Sequence, residues 1–257
     1  MSRPLAADRH GQILQVLEAS GTVSVSDLAQ RFGVSMETIR RDLKALADQN
    51  RLVMVHGGAT TLSAEPSLSR RAVENADGKA AIGRKAAEFV EDGMVVLIDS
   101  GSTTLQLAQV LLLRSNLTVL TNSLPIGLML ARTKTIKTVL IGGEVEANDE
   151  AAFGLDSMDI IRKYRVDLAF IGAGGISDEG DFTDYTRIAA DQRALMLSAG
   201  RKAYVLADRT KFSRRTPVII NVAVQHMTGL ITDALPKDEP AAKAAKGRWP
   251  VILAGSV

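Results

Sequence analysis

The sequence contains no cysteine and only three histidines, and both shortages exclude kinds of site. Without cysteine there can be no disulfide and no zinc–thiolate centre, and nothing indicates an oxidising compartment. His10, His56 and His226 are too far apart along the chain to have the spacing of metal ligands. We therefore expect neither a metal nor a cofactor.

Long apolar runs and a large net charge are also missing. The amino terminus, MSRPLAADRHG, lacks the apolar core of a signal peptide, and no uncharged stretch approaches the length of a membrane span. We therefore expect a cytoplasmic protein without a membrane partner. The formal charge is only +2, and residues 1–60 hold seven Lys and Arg against six Asp and Glu. Partner recognition must then come from local clusters of charge and not from the overall field.

What is present is a globular composition, with 46% hydrophobic and 23% charged residues. A chain of 257 residues has room for a domain of about 60 residues and a larger one of about 180. Residues 61–78 are polar, lack sustained periodicity and contain Pro66 and Gly78, which is typical of a linker. The expected organisation is a domain over 1–60, a linker over 61–78 and a second domain over 79–257.

The first domain contains the pattern of a helix that reads DNA. Ile39, Leu43 and Leu46 recur at i, i+4 and i+7, so they line the buried side of one helix. The solvent side carries charged residues, namely Glu37, Arg40, Arg41 and Lys44. In the major groove of DNA, the two arginines can meet phosphate oxygens or guanine edges.

The residues around this helix predict a helix-turn-helix. Ser24 can cap a preceding short helix, Gly33 suits the left-handed residue that ends it, and Ser35 can cap the helix that follows. An earlier helix supplies a third packing element through Ile13, Val16 and Leu17. The alternative is an ordinary three-helix bundle whose charges form a solvated face.

Beyond residue 78, short apolar runs alternate with helical patterns, which predicts a doubly wound, mostly parallel α/β domain. The predicted strands are 94–99, 117–121, 138–142, 167–172, 203–208 and 229–233. Residues 249–254 can add an edge strand, and the preceding 237–247 indicate a solvated helix or loop.

The first of these strands runs into DSGSTT, residues 99–104, and then into a helix. Gly101 lets the backbone approach an anion, the free amides at the helix start point towards it, and the next three residues offer hydroxyls. No lysine follows in the pattern of a nucleotide-binding P-loop, so a sugar phosphate fits better than ATP. The alternative is a capped helix start without a ligand.

Other strand ends are similar in chemistry, and ligands of such folds bind at the carboxyl ends of the strands. They are 121–123, 142–143, 172–175 and 206–212, the last of which carries Asp208 and Lys211. The glycines at 172–175 are not a dinucleotide fingerprint, because Ser177 stands in the place of the third glycine.

The whole pattern resembles one family. GTVSVSDLAQRFGVSMETIRRDLKAL followed by HGGA is similar to the winged helix-turn-helix of the DeoR family of bacterial transcription regulators. IGRKAAEFV, LIDSGSTT, LTVLTNS, IGGE, FIGAGGI, LADRTKF and LITD follow in the order of that family's effector domain, so the resemblance spans about residues 9–233. It implies a sensor domain similar in fold to ribose-5-phosphate isomerase that binds a phosphorylated sugar, and a DNA-binding domain that binds double-stranded operator DNA.

The resemblance also assigns residues. Together with the charged helix face, it gives these candidates for DNA contact: Ser35, Glu37, Thr38, Arg40, Arg41, Lys44, and Arg51 and His56 in the wing. For His56 the alternative is a hydrogen-bonded turn histidine. The implied effector-binding residues are Asp99, Gly101, Ser102, Thr103 and Thr104 in a phosphate loop, with Asn122, Gly143, Gly174, Asp208 and Lys211 around the rest of the ligand.

Two positions depart from the family pattern. Met54 stands where the family usually has an arginine two residues before the wing histidine, so the recognition helix must carry more of the DNA binding. Ala189 stands where an acidic residue commonly begins a helix, and Asp191 is the acid two positions later.

The expected function is a repressor of carbohydrate-metabolism genes that a phosphorylated sugar releases from its operator. A homo-oligomer, dimer or tetramer, would place two recognition helices in successive major grooves. The main alternative is a sugar-phosphate isomerase with an appended DNA-binding module, for which Asp99 and Asp208 are the candidate bases. A nucleoid-type structural DNA binder is a third class, but it would not need the polar strand ends. We expect no catalytic residue.

Overall fold

The computed structural model describes residues 6–20, 22–49, 51–55, 57–60, 65–214, 216–223 and 226–255. The chain divides into two compact units, Met1–Ala64 and Glu65–Val257. Within the described ranges, none of the helices has the length and apolar character needed to cross a membrane.

The first unit combines three helices with a small antiparallel sheet. Its helices are α1 (Ala6–Ser20), α2 (Val25–Phe32) and α3 (Met36–Asp48), and its strands are β1 (Thr22–Ser24), β2 (Val53–Val55) and β3 (Gly58–Thr60). The strand order is β1-β3-β2, so the β2–β3 hairpin forms a wing beside the helices.

The helix boundaries in this unit follow from the capping residues that the sequence suggested. The Ser24 hydroxyl accepts the Asp27 amide at the start of α2, and the Ser35 hydroxyl accepts the Thr38 amide at the start of α3. Gly33 ends α2 with a left-handed backbone at φ 63°. The predicted apolar stripe of α3 is buried in the core of the unit. The prediction of a helix-turn-helix with a wing is therefore confirmed.

A buried ion pair ties α1 to α3. Arg9 donates from Nε to Asp42 Oδ2 at 2.5 Å and from Nη2 to Oδ1 at 2.9 Å, and His10 Nε2 lies 3.1 Å from Oδ1. Burial alone would raise the pKa of Asp42, but the bonds from Arg9 and His10 outweigh it and hold that pKa below its usual value. This carboxylate therefore fixes α3 against α1 from the buried side of α3.

The second unit is built from seven helices, a short 3₁₀ turn and twelve strands within the described residues. The helices are α4 (Leu68–Val73), α5 (Ala76–Ala87), α6 (Ser102–Leu111), α7 (Leu124–Ala131), α8 (Leu155–Arg162), α9 (Arg187–Ala199) and α10 (Pro240–Arg248), and the 3₁₀ turn is Arg209–Lys211. The strands are β4 (Val95–Ile98), β5 (Leu117–Thr121), β6 (Ile136–Leu140), β7 (Glu144–Glu146), β8 (Ala151–Phe153), β9 (Val166–Ile171), β10 (Gly175–Ile176), β11 (Phe182–Asp184), β12 (Gly200–Leu206), β13 (Val218–Ile219), β14 (Gly229–Thr232) and β15 (Val251–Leu253).

Seven of these strands form one parallel sheet in the order β15-β14-β12-β9-β4-β5-β6. They coincide with the seven predicted strands, and β15 is the expected edge. Side chains alternate between the two faces: Leu97 belongs to one buried cluster, while Val96 and Ile98 belong to the other. Because both clusters are covered by helices, every central strand is apolar on both sides. The predicted doubly wound α/β fold is confirmed.

The predicted linker ends much earlier than we expected. Residues 65–78 belong to the second unit and contain α4 and the start of α5. Their polar side chains are used inside that unit, because Arg71 is buried in ion pairs with Glu65 and Asp149. The Leu68 amide also donates to the Asn148 carbonyl at 2.7 Å. Residues 65–78 are therefore structured although their sequence shows no sustained helix or strand periodicity.

The order of the strands reverses between β4 and β9. From β4 the chain proceeds outward through β5 and β6, and from β9 it proceeds to the other side through β12, β14 and β15. The loops after β4 and β9 consequently diverge and leave a crevice at the carboxyl ends of these strands. The segment after β4 is Asp99–Thr104, and that after β9 begins with Gly172.

Candidate functional site

The loop after β4 forms one wall of this crevice, which we call the anion crevice. It is lined by Glu65, Arg71, Ser100, Gly101, Ser102, Thr103, Thr104, Gly172, Ala173, Arg193, Leu206 and Lys211. Gly101 has φ 141°, a backbone that side-chain-bearing residues rarely adopt, and it precedes α6 directly. The first amides of a helix have no partner within the helix, so those at the start of α6 are available to an anion.

Lys211 lies in the wall opposite and is poorly satisfied. Lys211 is only 5% exposed, and its Nζ donates to the Gly174 carbonyl over a long distance of 3.5 Å. Burial, together with the positive charge of Arg214, lowers the pKa of Lys211 to about 8. A buried ammonium with so weak a partner favours an incoming anion.

Arg193 lines the crevice and is held in place by two carboxylates. Its Nε donates to Asp99 Oδ2 at 2.7 Å, and its Nη1 pairs with Asp184. Asp99 also accepts the Gly172 amide at 3.1 Å and is completely buried. Burial raises the pKa of Asp99, and Arg193 opposes that shift. Asp99 thus positions Arg193 and the β9 loop, and it is not among the residues that line the crevice.

Arg71 and Glu65 close the crevice from the side of α4. Arg71 Nη1 lies 2.7 Å from Glu65 Oε1, and Nη2 pairs with Asp149. Burial and the nearby Asp149 raise the pKa of Glu65 to about 7, although Arg71 and Arg193 oppose the shift. The free volume left in the crevice is about 20 Å³, which is room for about one water molecule.

The remaining effector candidates have other positions. Asn122 is buried between the Ser100 amide and the Ala152 carbonyl, at 3.0 and 3.2 Å. At Gly143 an added Cβ would lie 2.3 Å from Ser157 Oγ, so this glycine permits close packing. Asp208 caps the 3₁₀ turn before Lys211 and lies 3.8 Å from Lys79 Nζ. In the described structure these three residues support the surroundings of the crevice without lining it.

The departure at Ala189 also has a structural outcome. Ala189 packs against Ala151 and Phe153 in a small apolar cluster, and its amide is capped by Thr186. Asp191 is exposed and lies 3.6 Å from Arg187 on the same helix, so its carboxylate does not replace a group in the crevice. The charged residue that α9 does contribute to the crevice is Arg193.

Sequence reasoning missed Glu65, Arg71 and Arg193. The partner of Arg193, Asp99, is 94 residues away, and the partner of Arg71, Asp149, is 78 residues away. Pairs at such separations leave no local pattern. The signal that was available is the Arg-Arg pair at 70–71 in a segment otherwise typical of a linker.

The recognition helix of the first unit presents the predicted charges to solvent. The side chains of Arg40 and Arg41 are 58% and 80% exposed. Both lie near Glu37, at 3.7 and 3.6 Å, in surface ion pairs that contribute little to stability. Ser35 caps the helix start, and its hydroxyl is 2.9 Å from that of Thr38.

The other DNA-contact candidates lie on or near the wing. Lys44 is exposed further along α3, and Arg51 is exposed just before β2. Met54 is 41% exposed on β2 and pairs with Ala59 in the wing. His56 lies outside the described residues. Arg40, Arg41, Lys44 and Arg51 are thus all exposed on the unit that carries the helix-turn-helix.

Fold and site together define a two-unit protein with a winged helix-turn-helix and an α/β unit that has a cation-lined crevice at its topological switch point. The comparisons agree with that class. Residues 9–65 match the DeoR-like helix-turn-helix domain, and residues 74–234 match the DeoR C terminal sensor domain. The chain therefore belongs to the DeoR family of transcription regulators.

Its relatives include named repressors. It is 32% identical over 231 residues to the glycerol-3-phosphate regulon repressor of Escherichia coli (strain K12), covering 89% of this chain and 91% of that one. It is 28% identical over 247 residues to the HTH-type transcriptional repressor CsqR of the same organism, covering 95% and 94%. With the HTH-type transcriptional regulator IolR of Bacillus subtilis (strain 168), identity is 32% over 198 residues, covering 76% and 79%.

A solved ribose 5-phosphate isomerase a from Methanocaldococcus jannaschii is similar over 55% of this chain and 56% of that one, with a TM-score of 0.40 and 19% identity. At these values the similarity is not evidence of shared activity. The relatives above are transcription regulators, and the isomerase alternative is not supported.

Proposed function

We propose that this protein is a repressor of carbohydrate-related genes, that α3 reads its operator, and that a phosphorylated sugar bound in the anion crevice weakens operator binding. Two features of the chain carry the proposal. One unit has an exposed recognition helix, and the other has a crevice lined by the buried ammonium of Lys211 and by the free amides at the start of α6. Each feature has one natural partner, DNA phosphate for the first and a ligand anion for the second.

The DNA part of the proposal rests on the chemistry of α3. Arg41 and Arg40 can reach phosphates or guanine edges, and Ser35 and Thr38 bring hydroxyls to the helix start. Arg51 and His56 are proposed to contact the backbone from the wing. Since Met54 cannot bind a phosphate, the arginines of α3 carry most of the electrostatic contribution.

The ligand part rests on the crevice. We propose that the phosphate group lies at the amides of 101–104, with Lys211 as its counter-ion. The hydroxyls of Ser102 and Thr103 would donate to the phosphate or to the sugar. A relative named as the glycerol-3-phosphate regulon repressor is consistent with this ligand class.

We further propose that the protein acts as a homo-oligomer in the cytoplasm, where operator DNA and phosphorylated sugars are found together. Two copies would present two recognition helices to a repeated operator, with an affinity that neither helix reaches alone. The ligand can shift operator binding only through its differential affinity for the DNA-competent and DNA-incompetent arrangements.

A pair of variants of the full chain tests this division of roles. Operator binding is measured by fluorescence anisotropy on a duplex that the wild-type protein selects from a random pool, and ligand binding by thermal shift across triose, pentose and hexose phosphates. Arg41→Ala should cost about 1–3 kcal/mol of operator affinity and leave ligand stabilisation intact. Lys211→Met should retain operator affinity and lose ligand stabilisation, which at 100 times the dissociation constant amounts to about 2.7 kcal/mol.

Lys163→Ala is the matched control, because it removes one exposed positive charge from the second unit. It should change neither measurement. Equal loss of operator binding in all three folded variants would contradict the assignment of α3, and a flat ligand screen with the wild-type protein would contradict the assignment of the crevice.

A further inference from the structure

The anion crevice is narrow in this structure, and one of the groups that line it is itself an anion. Its free volume of about 20 Å³ is room for about one water molecule, less than a phosphorylated sugar requires. Glu65 and Arg71 line it together with Lys211 and the loop at 101–104. A phosphorylated sugar would therefore gain room if part of this lining moved.

Arg71 is held by two carboxylates and two backbone carbonyls. Nη2 pairs with Asp149 and lies 3.4 Å from the Asn148 carbonyl. Nε donates to the Pro66 carbonyl at 2.8 Å, and Nη1 lies 2.7 Å from Glu65 Oε1. The guanidinium is thus a fixed cation, and the Glu65 carboxylate is the partner that another anion can replace.

The chain around Glu65 is suited to a local displacement. Leu68 is 5% exposed, and its amide is bonded to the Asn148 carbonyl, so α4 is anchored at its first residue. Ser67 caps α4, with its hydroxyl accepting the Arg70 amide, and the Pro66 carbonyl accepts Arg71 Nε, so these two residues stay with the helix. The Glu65 side chain can move while α4 stays in place, and in sequence Glu65 is the first residue of the second unit after the DNA-binding unit.

We propose that the Glu65 carboxylate is an internal substitute for the ligand's phosphate, and that a phosphorylated ligand binds by displacing it from Arg71, which then becomes a further phosphate-binding residue of the crevice. The inference rests on the proposed sensor function of this unit. Binding would then release Glu65, the residue at which the second unit continues into the helix-turn-helix unit. A dianionic phosphate offers Arg71 and Lys211 more charge than one carboxylate does, which favours the exchange.

Two features support Glu65 as the exchangeable group. Two carboxylates, those of Glu65 and Asp149, share one guanidinium, so each weakens the other's attraction to it. The attraction of Arg71 also does not offset the burial of Glu65, because the pKa of Glu65 stays near 7. Asp149 is the better retained of the two, because it lies beside the anchored Leu68–Asn148 bond.

The test measures inorganic phosphate binding to the full-length protein by isothermal titration calorimetry. Glu65→Gln retains the size of the side chain and removes its charge. If the crevice is free of Glu65 in about a tenth of wild-type molecules, the variant should bind phosphate about tenfold more tightly. Arg71→Met should weaken phosphate binding relative to Glu65→Gln by at least the same factor. Equal affinity of wild type and Glu65→Gln would overturn the inference and leave the sensor function intact. If neither phosphate nor any phosphorylated sugar bound the wild type or Glu65→Gln, both this inference and the sensor function would fail.

Discussion

Replacing Lys211 by methionine is expected to stabilise the ligand-free protein. Burial lowers the pKa of Lys211 from 10.5 to about 8, and at 1.36 kcal/mol per pKa unit this corresponds to a cost of about 3 kcal/mol for keeping the ammonium charged at pH 7. Because the folded-state pKa is below the unfolded one, the full cost applies below pH 8 and fades as the pH rises towards 10.5. Methionine fills a similar space without a charge, so we expect a gain of about 1–3 kcal/mol.

Lys79→Met is the matched control, because Lys79 is equally buried but well satisfied. Its Nζ donates to the Glu74 carbonyl at 2.6 Å and to the Arg71 carbonyl, and it lies 3.8 Å from Asp208 Oδ2. Methionine would leave these acceptors without a donor. We therefore expect Lys79→Met to destabilise the protein by about 2–4 kcal/mol.

The assay is urea unfolding of the full-length protein at pH 7, with and without inorganic phosphate. Lys211→Met should have a higher unfolding free energy than the wild type without phosphate and should gain nothing when phosphate is added. The unfolding free energies without and with phosphate together distinguish a ligand-binding lysine from a structural one. If Lys211→Met lost 1 kcal/mol or more in the ligand-free protein, Lys211 would be a structural residue and the reasoning would be refuted.

Two further predictions concern titratable groups. Asp42→Asn should destabilise the protein by about 1–3 kcal/mol in thermal unfolding at pH 7, because it removes the charged acceptor of two hydrogen bonds from Arg9. Since the pKa of Asp42 is lowered, the wild type should lose this contribution as the pH falls from the usual aspartate pKa through the lowered one. An unchanged midpoint in the variant would show that the pair does not stabilise the protein. Phosphate affinity should fall by about tenfold per pH unit above pH 8, where Lys211 loses its proton while Glu65, with a pKa of about 7, is already ionised. Calorimetric titrations of the wild-type protein at pH 7 to 9 check this, and an affinity that stays constant between pH 8 and pH 9 would contradict it.

The strands and the helix-turn-helix were predictable because their signals are local. Runs such as 167–172 are apolar over their whole length because the parallel sheet is covered on both faces, and Ser24, Gly33 and Ser35 act within four residues of their own position. Gly101 was predicted for the same reason, as it stands where a predicted strand ends. Lys211 also follows a predicted strand, but its role came from the resemblance to the family, because the local pattern alone favours an ordinary surface lysine. Fold class and the loop at 99–104 therefore followed from short-range patterns.

The rest of the site depends on contacts between distant residues. Arg71 was assigned to a linker because its neighbours are polar, whereas its pairing with Asp149 and the Leu68–Asn148 bond make that segment part of the second unit. Arg193 reads as one more helix charge until Asp99 is seen beside it. The burial of Asp42 could have been predicted from the sequence. Asp42 lies at i+3 from Ile39, so the same spacing places it on the buried side of α3.

The measurement that tests the account most directly is thermodynamic coupling between the two units. Operator affinity of the wild-type protein is measured with and without the phosphorylated sugar that stabilises it most, and sugar affinity is measured with and without operator DNA. If the crevice controls α3, both affinities should fall by the same factor, typically between 5-fold and 150-fold. An operator affinity unchanged by saturating sugar phosphate, in a protein that binds both, would contradict the claim that the crevice is the input of this regulator.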